Sequence, residues 1–218
     1  MTKVLLYLLP LLIHLISCKS DEFHKVSQDT LVILQPYEGF ETEYLEAIES
    51  SLVDLYHVKV DQRKPIPIPK EAYTEIKVPR YRADTLIKKL KEKIGKEEYV
   101  LGLISEDISV TKYTDYKTKE IKTPVWKYRD WGIFGLGYCP GHSCIVSSHR
   151  LLKNCSKEQF IKRIKNVSCH EIGHNFGLPH CPNPKCIMVD AAETIKTVDQ
   201  VELYLCDECR NKIGLPNN

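Results

Sequence analysis

The stretch of sequence that decides the fold reads His170-Glu171-Ile172-Gly173-His174-Asn175-Phe176-Gly177-Leu178-Pro179-His180. On a helix, the two histidines four positions apart face the same way, so both imidazoles can reach one metal ion. Gly177 lets the helix stop and the backbone reverse, because glycine adopts a positive φ without a Cβ clash, and Pro179 cannot continue the helix. The reversal brings His180 round as a third ligand. Three neutral imidazoles leave the fourth position of a tetrahedral zinc ion open for water, which is typical of a catalytic site.

The glutamate beside the first histidine supplies acid–base chemistry. Zinc lowers the pKa of its bound water toward about 7, and a carboxylate within hydrogen-bond reach can accept the proton. The alternative is a surface helix with solvated histidines, but the glycine and third histidine at fixed offsets argue against it. The residues therefore predict that Glu171 is the general base and that His170, His174 and His180 bind a catalytic zinc ion.

Four cysteines follow the motif and could together bind a structural zinc ion: Cys181, Cys186, Cys206 and Cys209. Two cysteines separated by two residues are common as half of such a site, and four thiolates complete the coordination shell. Two disulfides are the rival interpretation, since an exported protein meets oxidising surroundings. We expect zinc, which would hold a small C-terminal lobe in place.

The run from the histidines to the last cysteine pair resembles the archaemetzincin family of zinc metallopeptidases. It comprises HEIGHNFGLPHC, then Cys186-Ile187-Met188, then Cys206-Asp207-Glu208-Cys209. The resemblance implies an α/β metzincin-like fold: a mostly parallel twisted sheet with an antiparallel cleft strand, a long active-site helix and a small zinc-bound C-terminal lobe. It also implies two zinc ions per chain, one catalytic and one structural. Met188 would belong to a Met-turn, an apolar floor beneath the catalytic metal.

The activity we expect is hydrolysis of peptide bonds in a peptide or protein substrate bound in extended form. Two other classes of function stay open. One is a zinc-stabilised module that binds extended peptides without cutting them, against which Glu171 argues. The other is a hydrolase of non-peptide amides, which the motif does not distinguish from a peptidase.

The composition is that of a globular protein without a strongly charged partner. The chain has 218 residues, of which 43% are hydrophobic and 28% charged, and this suits one domain. A net charge of +2 is too small to argue for nucleic acid or an anionic membrane surface as partner. We expect a monomer with its catalytic domain at 30–218, divided into an N-terminal lobe at 30–177 and a C-terminal lobe at 178–218.

The first residues are typical of a targeting segment. Residues 4–16 are mostly apolar after Lys3, which is too short for an ordinary membrane helix and indicates a signal peptide at 1–17. Leu15-Ile16-Ser17-Cys18 resembles the lipobox of bacterial lipoproteins, which implies lipid attachment to Cys18 and a tether at 18–29. The sequence thus predicts an exported lipoprotein that contacts the membrane only through its lipid anchor. A plain secretory signal with an incidental cysteine is the alternative.

The pattern upstream of the motif alternates strands and helices, which predicts a mostly parallel sheet. We expect strands at 31–34, 58–60 and 99–104, helices at 41–56 and 82–94, and a long polar loop at 105–130 that borders the cleft. Ser156 with Gln159 forms a capping box that starts the active-site helix, at 157–176.

Two further strands are expected at 131–138 and 144–148. The first is our candidate for the antiparallel cleft strand, whose glycines would permit close approach of a substrate backbone, with ordinary bulges as the alternative. Cys139 and Cys144 flank the turn between the two strands and could form a disulfide.

Overall fold

The computed structural model describes residues 23–190 and 194–217. The predicted signal peptide and Cys18 lie outside the described residues, as does the first part of the tether. No helix in the described ranges combines the length and apolar character needed to cross a bilayer.

Short strands and seven helices make up the described chain. The strands are β1 (Leu31–Pro36), β2 (Lys59–Gln62), β3 (Tyr73–Thr74), β4 (Arg80–Arg82), β5 (Glu98–Ile104), β6 (Ile108–Val110), β7 (Tyr113–Asp115), β8 (Glu120–Ile121), β9 (Trp131–Ile133), β10 (Gly135–Gly137) and β11 (Ser143–Ser147). The helices are α1 (Leu45–Tyr56), α2 (Ala83–Lys91), α3 (Val125–Tyr128), α4 (Ser148–Leu151), α5 (Lys157–Asn175), α6 (Ile195–Gln200) and α7 (Asp207–Ile213).

A five-stranded sheet in the order β10-β11-β5-β1-β2 forms the centre of the molecule. Its inner pairs are parallel, whereas β10 at one edge runs antiparallel to β11. Val32 and Leu34 on β1 face one core cluster and Ile33 faces another, and all three are fully buried. Helices α1 and α5 cover the first face and α2 covers the second, which explains the continuous apolar sequence of the strands. This arrangement confirms the predicted α/β fold class.

Residues 105–130 are not the long loop that their polar composition predicts. They contain β6, which joins β3, β4 and β9 in a second, four-stranded sheet, and the hairpin of β7 and β8. These strands are only two or three residues long, so no alternation of apolar and polar positions marks them. The segment does border the cleft, as expected.

The predicted strand at 131–138 is two strands. Residues of β9 pair with β6 in the second sheet, and those of β10 pair with β11 in the first, so the chain changes sheets at Phe134. Of this segment, β10 is the antiparallel edge strand of the central sheet.

A buried ion network joins the two sheets. The Asp107 carboxylate accepts from Arg80 Nε at 2.8 Å and from Arg150 Nε at 2.6 Å, and Arg80 also donates to Asp130 at 3.1 Å. Arg80 lies on β4 and Arg150 on α4, directly after β11. The network therefore fixes the second sheet against the end of the first.

The described N-terminal segment packs against the C-terminal ends of α5 and α7. His24 N donates to Phe176 O at 3.0 Å, directly after α5, and Val26 N donates to Ile213 O at 2.8 Å in α7. Apolar residues of the C-terminal part, among them Val198, Val201 and Leu205, belong to the same core cluster as α1 and α5.

Candidate metal centre and active-site cleft

Helix α5 carries the first two histidines and the glutamate. It begins as predicted, with Ser156 Oγ accepting from Gln159 N at 3.3 Å, although the Gln159 side chain turns toward Asp199 rather than completing the capping box. The helix ends at Asn175, and Gly177 takes the expected left-handed conformation, φ 95°. Leu178 N then donates to Gly173 O at 3.0 Å, which closes the reversal.

The reversal brings the three histidines together. One nitrogen each from His170, His174 and His180 lies within 4.8 Å of the others. His170 Nδ1 donates to Ile187 O and His174 Nδ1 to Leu178 O, each at 2.8 Å, so the backbone fixes both tautomers with Nε2 as the available lone pair. Burial lowers the pKa of His170 to about 4 and that of His174 to about 3, so both rings are neutral at pH 7. Neutral, oriented imidazoles at this spacing fit a zinc ion.

The third histidine is more exposed and has a carboxylate beside it. The side chain of His180 is 43% exposed, and its Nδ1 lies 3.6 Å from Asp190 Oδ2. A carboxylate next to the second ring nitrogen of a ligating histidine orients the ring and raises its basicity. Asp190 is a site residue that the spacing of the motif does not reveal.

Glu171 is buried against the edge strand β10. Burial raises its pKa to about 8, and a hydrogen bond from the Gly137 backbone opposes this by favouring the carboxylate. A Cβ atom at Gly135 would lie 2.6 Å from Glu171 Oε1, and one at Gly137 would lie 2.7 Å from Glu171 O. The glycines of β10 therefore make room for α5 and its glutamate, and this accounts for them without a bulge.

A cleft of about 360 Å³ opens beside the histidines and Glu171. Its apolar wall on one side consists of Val167, Ile187, Val198 and Val201. On the other side the lining residues are Val110, Lys112 and Tyr116 from the second sheet and the β7–β8 hairpin, together with β10.

Polar side chains of α5 hold α6 against this cleft. Asn166 Nδ2 donates to Val201 O at 2.8 Å and to Val198 O at 3.4 Å. One turn earlier, Arg163 binds the Asp199 carboxylate through Nε at 2.6 Å and Nη2 at 2.8 Å. Asn166 and Arg163 thereby place Val198 and Val201 in the cleft wall, a role that no motif in the sequence indicates.

The four predicted cysteine ligands converge on one buried point. Their sulfurs all lie within 4.8 Å of one another, with Cys181 to Cys206 at 3.7 Å and Cys186 to Cys209 at 3.9 Å. These distances exceed the roughly 2 Å of a disulfide and match the roughly 3.8 Å between two thiolates on a tetrahedral zinc ion. The hydrogen bond between Cys186 and Cys209 lowers the pKa of Cys186 to about 5, which favours a thiolate there. All four thiols are free, against the disulfide interpretation.

Met188 lies between the two clusters and packs under the active-site helix. It is fully buried, and its sulfur would clash with a Cβ atom at Gly173. Its carbonyl oxygen accepts from Cys181 N at 2.8 Å. Close packing against Met188 thus explains the glycine within α5, which costs a helix roughly 1 kcal/mol against alanine.

Cys139 and Cys144, which the sequence allows to form a disulfide, are not bonded to each other in the structure. Cys144 on β11 is buried in the core, where its Sγ lies 3.7 Å from Val100 O, whereas Cys139 Sγ lies 3.5 Å from Leu178 O. The strand and the turn direct the two side chains to different neighbours.

The fold and site together define a zinc-dependent peptidase of the metzincin type, with three histidines around a reversal, a buried glutamate at an antiparallel edge strand and a methionine turn below. Residues 32–214 match the model of peptidase family M54, and the chain belongs to that family. It is a zinc metallopeptidase.

Relatives and solved structures agree with this assignment. The archaemetzincin of Haloquadratum walsbyi is 30% identical over 82% of this chain and 96% of its own length, and that of Methanopyrus kandleri is 30% identical over 73% and 85%. The crystal structure of the Methanopyrus kandleri archaemetzincin superposes with a TM-score of 0.68 and 26% identity, over 86% of this chain and 95% of that chain. A zinc-dependent peptidase from Methanocorpusculum labreanum, 23% identical, shares the fold with a TM-score of 0.67 over 84% of this chain and 99% of that chain.

Proposed function

We propose that the chain hydrolyses peptide bonds in the cleft between α5 and β10, with Glu171 as general base and His170, His174 and His180 as ligands of a catalytic zinc ion. One observation carries the proposal: the three ring nitrogens converge within 4.8 Å beside a buried carboxyl group. A zinc ion held there would polarise the scissile carbonyl and lower the pKa of a coordinated water.

The residues of the chain carry the remaining steps. Glu171 accepts a proton from the attacking water and delivers it to the amine of the leaving group. The Gly137 backbone holds the carboxylate in position, and the apolar wall of the cleft keeps bulk water away. Asp190 and the carbonyls that accept from His170 and His174 keep the three rings oriented.

The substitution Glu171→Gln tests the assignment. It should retain zinc, because no histidine changes, and should lower kcat by at least about 100-fold, because a neutral amide cannot accept a proton. His174→Ala, the matched control, should lose both the zinc and the activity. Undiminished turnover in Glu171→Gln would refute the role of this residue.

We place the substrate backbone in extended form along β10. Phe134 O accepts from Ser147 N and Tyr138 N donates to Ser143 O, so the intervening Gly135 and Gly137 direct their backbone groups away from β11. Both backbone groups of Gly135 and the carbonyl of Gly137 can thus pair with an added strand, while the Gly137 N–H holds Glu171. Methylating successive backbone nitrogens of a substrate peptide should raise KM at alternate positions, whereas equal effects at every position would contradict strand pairing.

A non-catalytic peptide-binding module and a hydrolase of non-peptide amides are the competing functions. The family assignment and the buried Glu171 favour the peptidase. Cleavage profiling of a proteome-derived peptide mixture, with and without a chelator, separates the three: chelator-sensitive new peptide termini are the expected result.

The cysteine cluster supports a second, structural zinc ion. Metal analysis should give two zinc ions per wild-type chain and one in Cys186→Ser, while His174→Ala should lose the other. One zinc ion in the wild type, with disulfides among Cys181, Cys186, Cys206 and Cys209, would overturn this proposal.

Export and lipid anchoring rest on the sequence of residues 1–18 alone. Metabolic labelling with a fatty acid should label the wild type and spare Cys18→Ala; equal labelling of the two would end the idea. The proposed monomeric state of the released domain can be checked by light scattering.

A further inference from the structure

Lysines and aromatic rings form a continuous band on the second sheet and helix α3. Lys112 Nζ lies 4.7 Å from the ring centre of Trp131, which stacks on Tyr128 at 5.3 Å. Lys127 lies within 5.3 Å of both rings, and Lys122 is 5.1 Å from Tyr128. We call this set, with Lys77 and Trp126, the lysine–aromatic band.

The band begins inside the active-site cleft. Lys112 lines the same cavity as His170 and Glu171. From Trp131 and Tyr128 the band continues outward to Trp126, which is 73% exposed and has Lys77 Nζ 5.8 Å from its ring centre. A polypeptide leaving the cleft on this side therefore passes over the band.

The band is locally basic on a nearly neutral protein. Residues 112–129 contain six basic and two acidic side chains, whereas the net charge of the whole chain is +2. The exposed ring of Trp126 and the half-buried rings of Tyr128 and Trp131, beside ammonium groups, offer both apolar contact and positive charge. A segment that carries carboxylates among apolar side chains is the complementary partner.

We propose that the lysine–aromatic band binds an acidic segment of the polypeptide substrate on the carboxyl side of the scissile bond. The proposal rests on the peptidase function. Antiparallel pairing with β10, the commoner arrangement of strands, directs the carboxyl half of the substrate from Gly137 toward Phe134 and on to Lys112. The enzyme thus prefers substrates whose acidic residues follow the cleavage site.

An anionic membrane is the competing partner for such a surface. The described chain starts at Phe23, and His24 contacts Tyr99 at the beginning of β5. The second sheet lies beyond the other end of β5, because β6 follows Ile104 after three residues. The first described residues therefore lie at the end opposite the band, which favours the polypeptide.

Paired peptides test the preference. Both share one cleavage sequence found by profiling, and differ in three Glu or three Gln residues placed after the cleavage site. The Glu peptide should have a KM roughly 5- to 10-fold lower at low salt, with kcat unchanged, and the difference should shrink at high salt. Equal KM values, or the same gain with Glu placed before the cleavage site, would overturn the proposal.

Substitutions then locate the effect. Lys122→Ala with Lys127→Ala should abolish the preference for Glu, whereas Lys88→Ala with Lys91→Ala, which removes equal charge from α2, should preserve it. Lys77 is left intact because its ammonium group binds Lys127 O and Asp130 O. The reversal Lys122→Glu with Lys127→Glu should favour a peptide with Lys at the three positions; an unchanged preference for Glu would contradict the band.

Direct binding separates this proposal from the catalytic one. The chain has two tryptophans, Trp126 and Trp131, and both belong to the band. Adding the Glu peptide to Glu171→Gln should change tryptophan fluorescence in a saturable way, whether or not the wild type cleaves it, and the Gln peptide should bind more weakly. Equal binding of the two peptides, or a response only to vesicles of phosphatidylglycerol, would overturn it.

Discussion

Glycine at 135 and 137 decides where the carboxyl group of Glu171, the proposed general base, lies. Both residues belong to the edge strand, and the space that their missing side chains leave is taken by Glu171. The carboxyl group is therefore positioned by β10 as much as by its own helix.

Adding one methyl group at this point tests that positioning. Gly135→Ala should lower kcat/KM by about 100-fold, because a shift of the catalytic group by about 1 Å costs that much. Zinc content should be retained. Gly95→Ala, where a Cβ atom would meet Glu98 at an ordinary 3.4 Å, should leave kinetics unchanged. Full activity in Gly135→Ala would show that Glu171 tolerates displacement.

At the scale of elements, α6 depends on its contacts with α5. The side chain of Arg163 is 4% exposed and binds Asp199 as well as the carbonyls of Leu151 and Lys153. Asp199→Asn leaves this buried guanidinium without its carboxylate. The unfolding free energy should fall by about 1–3 kcal/mol, and KM should rise because Val198 and Val201 lose their fixed place.

Chemical denaturation and peptide kinetics measure these two effects. Glu208→Gln, which breaks the exposed pair of Glu208 with Lys212 in α7, is the matched control and should alter neither quantity. An Asp199→Asn enzyme as stable as this control would mean that α6 is held by its apolar contacts alone.

The ion network between the two sheets should contribute less to the free energy of unfolding at low pH. Burial would raise the pKa of Asp107, but hydrogen bonds and charge from Arg150 and Arg80 outweigh it and lower the pKa below 3.8. Because the folded pKa lies below the unfolded one, the stabilisation is present above about pH 4 and is lost as pH falls through the folded pKa. The stability difference between wild type and Asp107→Asn should therefore shrink between pH 5 and pH 2; a constant difference would contradict the linkage.

The long elements follow from the sequence, and the short ones do not. Helix α5 runs from Lys157 to Asn175 against a prediction of 157–176, because its cap and apolar period are local signals. Strands β1 and β5 likewise follow from unbroken apolar runs. The sequence does not predict the four-stranded sheet, because each of its strands is stabilised by distant partners, such as β4 by β6.

The residues of the candidate site likewise fall into those that the sequence predicts and those that it does not. The histidines, Glu171 and the four cysteines stand at fixed spacings, so the sequence predicts that they converge, and the geometry brings each set together. Three features of the site depend instead on tertiary contacts across the cleft. They are the position of Asp190 beside His180, that of Asn166 beside Val201, and the packing of Glu171 against the glycines of β10. These contacts join segments that are distant in the sequence, so no local spacing of residues predicts them.

At the scale of the whole molecule, the cysteine and histidine metal sites should contribute unequally to thermal stability. The cysteine cluster joins Cys181 and Cys186 to α7, whereas His170 and His174 are already fixed by α5. Cys186→Ser should lower Tm by about 10 °C, and His174→Ala by much less, since the first loses a link between segments. Thermal unfolding followed by circular dichroism measures both; equal losses would contradict a mainly structural role for the cysteines.

The hydrogen bonds of His24 and Val26 to Phe176 and Ile213 also fix the order of events during synthesis. A nascent chain emerges from the ribosome amino end first, so the segment with His24 and Val26 must remain undocked until α7, far downstream in the sequence, has left the exit tunnel. The contacts of His24 and Val26 can form only once both α5 and α7 have emerged, and a chain shortened before residue 213 would lack the carbonyl that accepts from Val26 N.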